Sequence, residues 1–189
     1  PIAIQDGAHG IFVVGPAATG AAPRPAVGDE VEVTGTVEWT TFAPRVRARE
    51  IRIVGRGTLP EPARADLTRL FGGGYDATRI ELVGVVQGVR AGNAGMRLLF
   101  ESESRAISIE VPTAALPALP AALVDADVRV IGVTQSIFNT RGEFIAPKVR
   151  VARGEDLAIV VPAPAPPFEC LQVPLREIGG FRPRPLLGH

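Results

Sequence analysis

Apolar and polar positions alternate along this chain in short runs. Val31-Glu32-Val33-Thr34-Gly35-Thr36-Val37 has period two, the mark of a half-buried β-strand. Ile80 to Val86 and Val128 to Val133 carry the same kind of strand signal. Val46, Ala48, Ile51 and Ile53 define a further strand whose phase breaks at Arg49-Glu50, where a bulge would restore it. Met96 to Phe100 and Ala106 to Val111 flank the polar turn Glu101 to Arg105, and Phe144 to Val151 closes the series. Gly35, Gly84 and Gly132 each lie inside a strand pattern, which marks a bulge or the sharp bend of a small barrel. Helical signal is confined to Pro62 to Phe71, stopped by Gly72-Gly73-Gly74, and to a turn within Pro117 to Leu123. Val161 to Pro167 reads as an extended Pro/Ala connector, and Gly15 to Ala26 as a flexible loop.

These elements repeat. Val27 to Val37 can be laid on Val124 to Val133: an acidic turn, V-x-V, one residue, Gly, then an apolar residue. Downstream, Thr41 to Arg47 parallels Glu143 to Val151. Upstream, Ile2 to Gly7 with Gly10 to Val14 parallels Met96 to Glu101 with Ala106 to Val111, one hairpin per unit. After each unit comes a proline-rich connector and an apolar stretch ending in glycines, Leu67 to Gly73 and Leu171 to Gly180.

The second unit has a leading strand (Ile80 to Val89), a hairpin, a loop and two closing strands. That order predicts an all-β chain of tandem five-stranded Greek-key barrels of the oligonucleotide/oligosaccharide-binding (OB) type, with little helix. The expected boundaries are unit one at 1–57 without its leading strand, a linker with a short helix at 58–77, unit two at 78–160, and a connector and lead-in to a further unit at 161–189. A missing strand exposes its neighbours' edges. Unit one is therefore expected to be completed by the C-terminal segment, by a partner chain such as an oligomer mate, or not at all. The opening Pro1-Ile2-Ala3-Ile4, without Met or a basic leader, reads as the interior of a longer protein.

Composition narrows the function. The chain of 189 residues has a net charge of zero, which argues against coating of nucleic-acid phosphates. Aromatic content is 5%, little for a stacking platform, so nucleic acid is an unfavoured partner. The lone Cys170 and the distant His9 and His189 offer no metal-ligand spacing, disulfide or triad. Asp6, Asp29, Glu30, Asp125 and Asp127 sit in turn-like contexts rather than as a paired-carboxylate site. No catalytic residue, metal or cofactor is expected. No run approaches the ~20 apolar residues that span a bilayer.

Gln5-Asp6-Gly7 before Gly10-Ile11-Phe12-Val13, Gly28 to Gly35, Leu123 to Val133, Ile137-Phe138-Asn139 with Arg141-Gly142, and the connector ending Pro166-Pro167-Phe168 together resemble a known family. It is that of the tandem OB-like repeats in the extracytoplasmic sensory region of bacterial sensor histidine kinases. The resemblance covers most of the chain. It implies a non-catalytic, ligand- or partner-binding sensory module of a two-component signalling protein, in a periplasmic setting. The G-D-x-V-x-V-x-G strand also occurs in OB modules of secreted nucleases. A nucleic-acid- or glycan-binding module of a secreted enzyme, and a purely structural spacer, therefore remain alternatives.

OB barrels bind on the face of strands 2 and 3 and in the loops joining strands 1 and 2 and strands 4 and 5. In unit one the latter loop carries Trp39, Phe42 and Arg45. These could stack a base or sugar, or the two aromatics could plug the barrel end or the interface between units, the commoner fate of such rings. In unit two the equivalent loop carries Phe138, Asn139 and Arg141, where N-x-R-G is also ordinary turn chemistry.

Overall fold

The structure is a computed structural model describing residues 1–15, 24–40, 43–92, 95–115 and 121–164. Its regular structure is almost entirely β. One sheet contains β1 (Ile2–Asp6), β2 (His9–Val14), β3 (Asp29–Trp39) and β4 (Pro44–Arg56), ordered β1-β2-β4-β3. The other contains β5 (Ala63–Arg64), β6 (Arg79–Gly92), β7 (Gly95–Ser102), β8 (Arg105–Pro112), β9 (Asp127–Phe138), β10 (Phe144–Arg150) and β11 (Leu157–Val161).

In the second sheet β6 pairs antiparallel with β7, and β7 with β8. β8 pairs parallel with β10, β10 antiparallel with β9, and β9 antiparallel with β6. The five strands thus close on one another into a barrel-like ring. Alternate residues point inward, and Leu82, Val86, Phe100, Ile109, Val128 and Val130 form part of one continuous buried core. The β7–β8 turn is tight because Glu103 and Ser104 both take positive φ, +46° and +63°, which matches the twist of a two-residue hairpin. Gly84 serves close approach: a Cβ there would collide with the Glu101 carbonyl oxygen and the Phe100 ring.

The segment expected to be a linker belongs to this core. The helix α1 (Leu67–Phe71) is shorter than the pattern from Pro62 suggests. Asp66 starts it, its side chain accepting from Arg69 N at 2.7 Å, while Ala63 and Arg64 pair with β6 instead. Leu67 and Leu70 are buried in the ring's core with Tyr75. Pro117 to Pro120 and the connector beyond Pro164 lie outside the described residues.

The first sheet repeats part of the ring, residue for residue. β1 and β2 pair Ile4 with Ile11 as β7 and β8 pair Phe100 with Ile107. β2 runs parallel to β4 with Val13 beside Val46, as β8 runs parallel to β10 with Ile109 beside Val149. A Cβ on Gly35 would strike the Arg47 carbonyl, and one on Gly132 the equivalent Arg150 carbonyl. The expected bulge is present, with Arg49 the extra residue between Thr34↔Glu50 and Gly35↔Ala48. Unit two divides what is one long strand in unit one. Val33 faces Ile51 of β4, whereas the equivalent Val130 faces Leu157 of β11, beyond the turn at Gly154–Asp156.

Among the described residues no strand occupies, beside β1 and β3, the place that β6 fills between β7 and β9. The core of unit one is correspondingly thin, with Val13 and Ala48 its buried apolar residues.

Candidate recognition surface

The β3–β4 hairpin projects an apolar tip. Val37 lies opposite Val46 and Trp39 opposite Pro44, which places them on one face. Trp39 is 81% exposed and Val37 59%. Among the described residues the indole therefore plugs neither a barrel end nor an interface between units. Thr40 closes the turn at both ends: its hydroxyl donates to Ala43 O at 2.6 Å and accepts from Ala43 N at 3.2 Å. The opposite face is held by Glu38, which accepts from Arg45 Nε at 3.1 Å and from the Arg47 guanidinium. Trp39 and Arg45 thus sit on opposite faces and do not form a joint aromatic–arginine site. Phe42 lies outside the described residues.

Glu38 is held below the usual glutamate range, first by its hydrogen bond to Arg47, against a smaller opposing desolvation, and then by Arg45. A depressed carboxylate contributes stability above its unfolded pKa and loses it as pH falls through the folded value. The Glu38 carboxyl is expected to titrate below 4.5 by NMR, with the hairpin face loosening only on further acidification. An unshifted midpoint would mean that the two arginines do not engage it in solution.

The matching hairpin of unit two is built differently. Phe138 lies against Phe144 edge to face, with ring centroids 6.1 Å apart. Asn139 is consumed by the turn: its Oδ1 accepts from Arg141 N and Glu143 N, both at 2.9 Å, and its Nδ2 donates to Glu143 Oε2 at 2.6 Å. Arg141 is exposed beside it. Phe138, Asn139 and Arg141 are brought together in one turn, with Asn139 in a structural role.

A cleft of about 350 Å³ lies beside Gly84 of β6, lined among others by Arg64, Glu81, Glu101, Ser102 and Asp127. Glu81 is engaged by Arg129 at 3.3 Å, and the Ser102 hydroxyl donates to Val83 O at 2.8 Å. Among the described residues there is no group of three or more His, Cys, Asp or Glu placed to hold a metal ion. Nor does a described helix have the length and apolarity to cross a membrane. Cys170 and His189 lie outside the described residues.

No family model matches the sequence, and no curated protein matches it. Among solved structures the chain is similar to an aspartyl tRNA synthetase from Entamoeba histolytica, at 11% identity and a TM-score of 0.40. That similarity covers 56% of this chain and 22% of the synthetase chain.

Proposed function

We propose that the chain is a non-catalytic recognition module built from two OB-type units, the second complete, that engages a partner through the β3–β4 hairpin of the first. The observation that carries this is the bare indole of Trp39 on an ion-paired hairpin. A large amphipathic ring with only two side-chain torsions, standing in water, loses little side-chain entropy on binding and gains its full apolar burial. On the indole's own face the hairpin offers Val37 and Pro44, with Arg45 and Arg47 turned to the other side, so it makes an apolar contact more than a phosphate clamp. This favours a protein partner over nucleic acid. Stacking on a sugar ring is the second reading, since the same indole would serve it.

The resemblance of the sequence to sensory repeats of bacterial histidine kinases suggests an extracytoplasmic signalling setting for this module. Its output would pass through the contact between units. Gln5 Oε1 accepts from Arg79 N at 2.7 Å, and Gly10 leaves no room for a side chain beneath the Ala77 carbonyl. A shift of the β1–β2 hairpin is thereby felt at the first residue of the next unit's β6.

Trp39 is the only tryptophan, so its emission reports the site directly. Titration with peptides, oligosaccharides and short single-stranded oligonucleotides is expected to blue-shift that emission and raise Tm for one class alone. Trp39→Ala is expected to abolish the Tm rise yet leave the free protein within about 0.5 kcal/mol of its original stability. Destabilisation well beyond that would return Trp39 to a packing role, and indifference to all three classes would sink the proposal.

A further inference from the structure

Directly opposite residues of neighbouring strands share a face. The register therefore sets Arg90 of β6, Arg97 of β7, Glu110 of β8 and Arg150 of β10 in one row across the outside of the ring. The row is on the order of 14 Å long, three strand spacings. Lys148, two residues before Arg150, joins it through Glu110. Glu110 is thus one carboxylate among four cations. It accepts from Lys148 Nζ at 3.1 Å, while the Arg97 and Arg150 guanidiniums stand off at 3.6 and 3.7 Å. Arg90 makes no ion pair with a described residue and lies opposite Arg97, a like-charge pair that weakens a sheet. The row belongs to unit two alone. In unit one Val14 and Arg47 hold the places of Glu110 and Arg150, and Arg45 that of Lys148. There Glu38 reaches across from β3 to both arginines. The equivalent position of β9 is Gln135, opposite Lys148 as Glu38 is opposite Arg45. Unit two carries more cations here and lacks the carboxylate that balances them in unit one.

We infer that this row is a docking surface for an acidic segment of a partner polypeptide. One carboxylate cannot neutralise four cations, and the two guanidiniums that stand off from it keep N–H donors for bidentate contact with carboxylates. Leu99, two residues from Arg97 on the same face and 36% exposed, adds an apolar foothold beside the charges. The row holds no aromatic ring to stack a base or a sugar, which favours a polypeptide over a nucleic acid or a glycan. The chain's own residues 165–189 are a poor occupant, with three arginines to two glutamates. The surface lies on the other unit from Trp39 and does not depend on it.

The test titrates the whole chain with a fluorescein-labelled peptide rich in glutamate with interspersed leucine. Its glutamine counterpart and an oligothymidylate of the same charge serve as comparisons. The glutamate peptide is expected to bind, less tightly as salt rises, and at least about tenfold tighter than either comparison. Arg90→Gln with Arg97→Gln is expected to weaken it about tenfold and to leave the fold intact, since both side chains are exposed and a like-charge pair is relieved. Gln135→Glu rebuilds the carboxylate of unit one and is expected to weaken binding severalfold. Glu110→Gln removes the competing acid and is expected to strengthen it. Arg52→Gln and Trp39→Ala, both in unit one, are expected to change nothing. Oligothymidylate binding as tightly as the glutamate peptide would overturn the proposal in favour of a phosphate-backbone surface. An equal loss from Arg52→Gln would reduce the binding to general charge attraction, and loss in Trp39→Ala would move the acidic segment to the hairpin. Binding indifferent to the Arg90, Arg97 and Gln135 changes would equally sink it.

Discussion

Phe100→Ala is expected to lower the unfolding free energy by about 3–5 kcal/mol, the cost of emptying a fully packed aromatic site. Phe100 is 1% exposed at the centre of the closed ring, touching neither solvent nor a surface that could collapse inward. Ile4 occupies the same place in unit one, opposite Ile11 as Phe100 is opposite Ile107. There no strand among the described residues fills the place of β6 and the side chain is half-buried, so Ile4→Ala is expected to cost only about 1–2 kcal/mol, below the usual range for a sealed isoleucine. Urea unfolding followed by hydrogen exchange separates the two, because the amides of β1–β4 report unit one and those of β6–β10 report unit two. Equal costs at the two sites would mean that unit one is as closed as unit two.

The same comparison shows what the sequence makes legible. Period-two alternation located nearly every strand of the ring, because its inward and outward faces see such different surroundings that the pattern cannot drift. The V-x-V-x-Gly repeat foretold that Gly35 and Gly132 do one job, and the structure gives the reason: each lies against the carbonyl of an equivalent arginine, Arg47 or Arg150. β11 was not legible. Leu157 to Val161 is an apolar run that merges into a Pro/Ala stretch, and unit one shows no separate strand there because β4 is continuous. The role of α1 was also hidden. A helix of five residues between proline and glycine looks like a spacer until Leu67 and Leu70 are seen in the core.

The geometry of the candidate loops was not legible in the sequence. The loops singled out are hairpin tips, but burial statistics for aromatic rings put Trp39 inside, whereas it stands 81% exposed. Pairing it with Arg45 failed for a simpler reason. In the observed register Trp39 faces Pro44, and Arg45 turns to the other side with Glu38. Asn139 illustrates the reverse case, a polar side chain offered to a ligand by sequence and claimed by its own turn.

Arg79 and Asp156 are the contact least visible to any local pattern, and removing one of them is expected to be among the most damaging changes. The guanidinium reaches Asp156 Oδ1 at 2.9 Å and Pro60 O at 3.0 Å, with side-chain exposures of 17% for the arginine and 7% for the aspartate. The pair ties the connector, the start of β6 and the turn before β11 into one knot, while the backbone of Arg79 holds Gln5 of unit one. Asp156→Ala leaves a half-desolvated cation facing a gap, and a loss of about 3–5 kcal/mol is expected. Arg79→Met together with Asp156→Leu removes both charges and keeps the volume, and is expected to cost much less, within about 1 kcal/mol of neutral. Denaturant titration of the single and double variants makes the comparison. A double variant as unstable as the single would show that the knot depends on the hydrogen bond to Pro60 rather than on charge balance. A single variant within 1 kcal/mol of the parent would show that water reaches the pair.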